Sequence, residues 1–170
     1  MELLFDRVRD NDSALTEVNM SSNKRFPTLT DEEKSKAASA FARNTFVKKL
    51  DLTGSSIGDV FVKALGASLE TNKTLEVVVL ESNSISGEGL KELFECLKKN
   101  TGVQELRLGK QSKPLANVDE DLVADSFERN HTITKLGIDL KSKIAQVKVH
   151  RKLSQNINSQ LKQKAASKVM

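Results

Sequence analysis

The chain has 170 residues, with 27 Lys and Arg against 23 Asp and Glu, seven Phe, no Trp or Tyr, one Cys and two His; that length suits one domain with a sizeable core. One Cys excludes an internal disulfide framework or a thiolate zinc cluster, two His leave little for a metal site or His-dependent catalysis, and no apolar run approaches the ~18 residues of a membrane span. The charge is unevenly placed: residues 1–139 hold 19 basic and 23 acidic side chains, whereas residues 140–170 hold eight basic and none acidic.

Met1-Glu-Leu-Leu-Phe-Asp-Arg7 has no basic region ahead of a long apolar core, so a cytoplasmic protein without a secretory signal is expected. Residues 2–10, with Leu3, Leu4 and Val8, read as a short amphipathic helix that caps the N-terminal side of the domain. Five segments then share the pattern apolar-x-x-apolar-x-apolar: Leu15/Val18/Met20, Val47/Leu50/Leu52, Leu75/Val78/Leu80, Val103/Leu106/Leu108 and Ile133/Leu136/Ile138. Their starts lie 32, 28, 28 and 30 residues apart. Asn44, Asn72, Asn100 and Asn130 stand three residues ahead of the last four segments, and Phe41, Leu69, Leu97 and Phe127 three residues before each Asn. Four residues further back come Ala37, Leu65, Leu93 and Val123. Each unit is therefore a helix with an i, i+4 stripe, an Asn turn and a short strand.

This pattern predicts an α/β fold, a right-handed leucine-rich-repeat solenoid with parallel strands on the concave side and helices on the convex side. The second and third apolar residues of each strand should point into the core, leaving Lys49, Asp51 and Thr53, or Val77, Val79 and Glu81, on the concave face. Thr30-Asp-Glu-Glu33 and Asn117-Val-Asp-Glu120 have capping-box form, and Ser86 precedes another helix start. From Lys141 to about Lys168 there is no Pro or Gly, and Leu153, Ile157, Leu161 and Ala165 recur at i, i+4 spacing. The reading is one domain over 1–170: a capping helix within 1–11, five repeat units over 12–140 and a basic amphipathic capping helix over 141–168.

Gly54-Ser-Ser-Ile-Gly58 matches a nucleophile elbow, but Ser56 and Ile57 align with Ser84 and Ile85 of the next unit, and His131 belongs to a turn at the opposite end of the sheet. Cys96 falls in a column of small residues with Ala40, Ser68 and Ser126, which marks a packing position. Neither His131 nor His150 has a metal-spaced neighbour, Asp119-Glu-Asp121 suits a helix N-terminus, and no phosphate-binding glycine loop occurs. No enzyme activity and no cofactor are expected. The concave columns mix charges, with Glu17 beside Lys49, Glu105 beside Lys135, and one apolar pair, Val77 and Val79. Two basic loops, with Lys24 and Arg25 after the first strand and Lys110 and Lys113 after the fourth, share an edge. With Lys143, Lys148, Arg151 and Lys152 of the basic helix they are the candidate contacts for an acidic protein surface.

Leu15-Thr-Glu-Val-Asn-Met20, Asn44-Thr-Phe-Val-Lys-Lys-Leu50, Glu81-Ser-Asn-Ser-Ile-Ser-Gly87, Glu105-Leu-Arg-Leu108 and Gln111-Ser-Lys-Pro-Leu115 resemble the C-terminal half of tropomodulin and its relative leiomodin, over about Met1 to Asp139. The resemblance implies a non-catalytic module that caps actin filaments at the pointed end, independently of tropomyosin, with the helix after the last repeat contributing to capping. Tropomyosin binding resides in the family's N-terminal half, which this sequence lacks, so a fragment or short form is expected. Gly137-Ile-Asp-Leu140 stands where the family has an aromatic-rich stretch, and the lack of a proline-rich extension favours tropomodulin over leiomodin. The other readings are a leucine-rich adaptor using its concave face, or a tail that binds nucleic acid or anionic lipid. Against the last, the tail has no aromatic residue for base stacking and the body is acidic.

Overall fold

Each apolar-x-x-apolar-x-apolar segment turns two side chains into the core and leaves its strand too short to stand alone, so strands from successive repeats must stack. In the computed structural model, which describes residues 2–167, they do so in one parallel sheet of order β1 (Glu17–Asn19), β2 (Lys49–Asp51), β3 (Val77–Val79), β4 (Glu105–Arg107) and β5 (Lys135–Gly137). The register joins Glu17, Lys49, Val77, Glu105 and Lys135 in one row, as the repeat spacing requires. The helices are α1 (Glu2–Arg9), α2 (Asp31–Ser39, continued by a 3-10 turn over Ala40–Arg43), α3 (Asp59–Thr71), α4 (Gly87–Leu97), α5 (Asn117–Phe127) and α6 (Lys143–Ser167). α2 to α5 each lie between consecutive strands and cover the convex side, so the fold is the expected α/β solenoid.

The core follows the sequence columns. Val18, Leu50, Val78 and Leu106 are fully buried, as are Phe41, Leu69, Leu97 and Phe127 on the helical side. Phenylalanines pack edge to face at the two ends: Phe26 lies 5.4 Å from Phe61 and 6.1 Å from Phe5, and Phe94 5.9 Å from Phe127. In α1, Phe5 and Val8 are the buried residues and Leu4 is partly buried; the side chain of Leu3 lies outside the described residues, as does Lys168.

The recurring asparagines bind two repeats at once. Asn72 Nδ2 donates to the Phe41 and Asn44 carbonyls of the preceding unit, while its Oδ1 accepts from the amides of Thr74 and Leu75. Asn100 repeats the pattern with Leu69, Asn72, Gly102 and Val103. A second ladder runs along the strand-to-helix edge. Asn83 Nδ2 donates to the Leu52 and Leu80 carbonyls, and Gln111 Nε2 to those of Leu80 and Leu108. The turn at this edge uses a left-handed residue at the same register each time, Ser22, Gly54, Ser82 and Lys110.

Three sequence expectations are corrected. Val79 is only 5% exposed, covered by its neighbours on β2 and β4, so the concave face has no exposed apolar pair. Thr30 and Glu33 do form a capping box, and Ser86 caps α4. Asn117, however, lies inside α5 behind the N-cap Ala116, and Glu120 is directed instead at the start of α6. The stripe Leu153, Ile157, Leu161 and Ala165 is not the packing face of α6: Leu153 is partly buried, and the other three are exposed. Ala145, Val149, Lys152 and Asn156 face the last repeat instead. Asn156 wins this position because its Nδ2 donates to the Asn130 and Ile133 carbonyls, which closes the asparagine ladder at the last repeat.

Candidate functional site

Because all five strands are parallel, every strand-to-helix loop emerges on one edge of the sheet. That edge carries Lys24 and Arg25 after β1, Lys110 and Lys113 after β4, and Lys141 and Lys143 at the start of α6, all exposed. Among the described residues, none of these six side-chain cations has a carboxylate oxygen within 4 Å of its charged nitrogens, in contrast to Lys49 on Glu17 or Lys63 on Glu92.

The basic helix divides differently from its sequence. α5 presents Asp121, Asp125 and Glu128, spaced as one helical stripe, to α6. Lys148 pairs with Asp125, whose hydrogen bond raises the Lys148 pKa, and Arg151 pairs with Glu128. Lys152 is turned inward and 6% exposed, with its Nζ 3.1 Å from His131 Nδ1. Burial lowers its pKa, partly offset by Glu128. Of the four helix cations expected to meet a partner, Lys143 alone is exposed and free of a carboxylate, and Lys152 is corrected to a buried position. Replacing Lys152 with Met should therefore remove a desolvation cost and raise stability by about 1 kcal/mol, read as a higher denaturation midpoint with no change in partner affinity. The pH dependence agrees in sign: a depressed Lys pKa makes the unfolded chain bind more protons below pH 10.5, so stability gains as pH rises toward that value in the native protein and not in the Met variant.

α6 starts at the strand-to-helix edge, where Glu120, 1% exposed, accepts from the amides of Lys141 (2.7 Å) and Ser142 (2.6 Å), and Ser142 Oγ donates to Asp121 (2.7 Å). It ends its packing at the opposite edge, where Gln160 Nε2 donates to the Thr132 carbonyl. Residues 161–167 are all exposed and include Leu161, Lys162 and Lys164. Sequence reasoning did not single out Lys141, Lys162 or Lys164; the acidic i, i+4, i+7 spacing of α5 is the signal that separates them from Lys148 and Arg151.

Several charges of the concave face pair with one another. Lys49 meets Glu17 at 2.7 Å, and Glu105 meets Arg107 at 2.5 Å and Lys135 at 3.4 Å. Burial opposes ionisation of Glu105, yet its two cations hold its pKa below the ordinary value. Burial pushes the Cys96 thiol up, away from the reactive thiolate. Ser56 and His131 lie at opposite edges of the sheet and form no dyad. Among the described residues there is no cluster of three metal-ligating side chains, and no helix is long and apolar enough to cross a membrane. Among the described residues, a cavity of about 630 Å³ opens between α1 and α2, and another of about 420 Å³ between the loop after β4 and the link from β5 to α6.

Comparison with known proteins places this arrangement. The family model of the TMOD/LMOD leucine-rich domain matches residues 1–159. Leiomodin-1 of Homo sapiens is 30% identical over 156 residues, which is 92% of this chain and 26% of that protein. Tropomodulin-4 of Mus musculus is 30% identical over 139 residues, 81% of this chain and 39% of that protein. The chain thus spans well under half the length of these curated relatives, and equal identity to both branches does not favour tropomodulin over leiomodin. Among solved structures, leiomodin-1 actin-binding site 2 superposes with a TM-score of 0.90 at 29% identity, covering 96% of this chain and 93% of that one. The tropomodulin C-terminal domain from Caenorhabditis elegans gives 0.86 at 25% identity, covering 97% and 98%. With a family model matched over nearly its whole length and the same fold in both branches, the chain belongs to the tropomodulin/leiomodin leucine-rich domain family.

Proposed function

We propose that this chain is a non-catalytic actin-binding module that caps filaments at their pointed ends in the cytoplasm. The observation that carries the reading is its superposition, over nearly its whole length, on the actin-binding site 2 of leiomodin-1. The free cations of the strand-to-helix edge support it: Lys24, Arg25, Lys110, Lys113 and Lys143 are exposed without carboxylate partners, and they complement an acidic protein surface. Lys148 and Arg151 already serve α5 and contribute less. Opposite charges pair on the concave face, which favours an edge contact over an adaptor that binds in the concavity. In a longer family member, tropomyosin is bound by segments outside this domain.

Pointed-end elongation of gelsolin-capped filaments tests the reading. Micromolar chain should slow elongation, and more weakly as salt rises, because exposed charges are screened. Combined Lys24, Arg25, Lys110 and Lys143 substitutions to Glu should weaken the effect about tenfold or more, whereas Lys148→Gln with Arg151→Gln should change it far less. Unimpeded elongation at micromolar wild-type chain would sink the proposal for this domain.

A further inference from the structure

Opposite the edge that carries Lys24 and Lys110 lie the helix-to-strand turns built on the buried Asn44, Asn72, Asn100 and Asn130. The sequence sets a cation directly beside each asparagine: Arg43 before Asn44, Lys73 after Asn72, Lys99 before Asn100 and Arg129 before Asn130. All four cations are exposed, because the asparagine turns inward to bind the preceding repeat and leaves its neighbour outside. Parallel stacking brings the four turns into one row along the edge. α6 extends that row. Its packing ends with Gln160 on the Thr132 carbonyl, so residues 161–167 run about 10 Å past the last turn at 1.5 Å per residue, with Lys162 and Lys164 exposed.

The carboxylates beside this row are engaged. Glu76 meets Lys48 at 3.3 Å, Glu70 meets Lys99 at 4.0 Å and Glu128 meets Arg151, while at the first turn Asp12 meets Arg7, and Asp6 and Asp10 meet Arg9. Among the described residues, no carboxylate oxygen lies within 4 Å of the charged nitrogens of Arg43, Lys73, Arg129, Lys162 or Lys164; Lys73 Nζ donates to the Glu70 and Lys99 carbonyls at 3.4 and 3.3 Å. The edge is therefore cationic although residues 1–139 are acidic as a whole. Neither cavity is lined by any of these five residues, so neither supplies a recess there for a protein side chain. Instead, a row of charge ends in a helix whose last turns leave Ile157 and Leu161 41% and 60% exposed. We propose that this edge docks on a bilayer of anionic lipid: Lys73, Arg129, Lys162 and Lys164 meet the headgroups, and Leu161 enters the headgroup layer. Residues 140–170 contain no carboxylate to oppose it. A broad anionic surface matches charges spread over several repeats. Because this edge lies opposite the basic loops, the docking does not depend on actin being the partner of those loops.

The test is flotation of the chain with vesicles of phosphatidylcholine alone, and of phosphatidylcholine and phosphatidylserine in equal parts. The chain should float with the mixed vesicles only and be released by salt. Lys73→Gln combined with Arg129→Gln should weaken binding by about fivefold for each cation neutralised. Lys36→Gln with Lys63→Gln removes the same charge from the convex helices and should change binding by less than about twofold. Because the chain has no Trp, Leu161→Trp and Val118→Trp each give a single fluorescent reporter. Emission from position 161 should shift to the blue on mixed vesicles, and emission from position 118, exposed at the far end of α5, should not. Absence of flotation, equal losses from the two double variants, or a blue shift at 118 in place of 161 would overturn the proposal. So would binding of double-stranded DNA or poly-glutamate with the affinity and variant dependence seen for vesicles, which would assign the edge to nucleic acid or to an acidic protein. Pointed-end inhibition should survive Lys73→Gln with Arg129→Gln; its loss together with flotation would assign this edge to actin instead.

Discussion

Replacing Asn100 with Ala should destabilise the chain by about 4 kcal/mol. Asn100 is 2% exposed and sits mid-stack, where its amide group donates to the Leu69 and Asn72 carbonyls at 2.7 and 2.9 Å. Its carbonyl oxygen accepts from the Gly102 and Val103 amides at 3.0 and 2.8 Å. Alanine would strand four backbone groups where water cannot replace the lost partners, each costing on the order of 1–3 kcal/mol before local relaxation. Because each repeat touches only its neighbours, the break falls on the interface through which one half of the stack stabilises the other. Urea denaturation should show the midpoint falling steeply, and a lower slope would mean that the two halves unfold separately. Thr101→Ala, on the exposed neighbour, is the control. A loss below about 1 kcal/mol for Asn100→Ala would contradict this account of the ladder.

Glu120→Ala is expected to release α6 from the repeats at a cost of about 3 kcal/mol. Ser142 Oγ accepts from the Ala145 amide at the helix start, and the two amides just ahead of the helix, of Lys141 and Ser142, are held by a carboxylate reaching across from α5, whose negative charge also suits the N-terminal end of the helix dipole. Removing it leaves two amides unpaired and frees the Ser142–Asp121 bond to stretch. Hydrogen exchange should report the difference between release and global unfolding: α6 amides such as Val149 lose protection while β2 to β4 keep theirs. Glu120→Gln keeps an acceptor at the same place and should cost much less. Under the proposed function the Ala variant also loses capping strength, because Lys143 is no longer held at the edge. Uniform loss of protection throughout the chain would show that α6 is inseparable from the stack.

The fold was readable because a repeat states its own register. A strand of three residues carries little information, yet five copies of one apolar spacing, each preceded by Asn or Asp at a constant distance, leave a single parallel arrangement that buries every column. The site was readable only in part. Basic loops could be assigned to one edge from topology, and Lys24, Arg25, Lys110 and Lys113 are exposed there. The helix could not be read in the same way. Its apolar residues populate more than one face, and the pattern that looked strongest, Leu153 to Ala165, lost to a face carrying Lys152 and Asn156 because Asn156 completes the hydrogen bonds of the last repeat.

The sequence by itself determined the repeat, its handedness, the core columns and the separation of an acidic body from a cationic tail. These depend on local spacing and on the need to bury each strand, and both are written along the chain. Only the tertiary structure decided which cations remain free and which face of α6 packs. Those outcomes depend on the meeting of segments more than twenty residues apart, such as Asp125 with Lys148 and Glu120 with Lys141. A charge in the sequence has a sign, but its availability to a partner is set by the carboxylate that the fold places beside it.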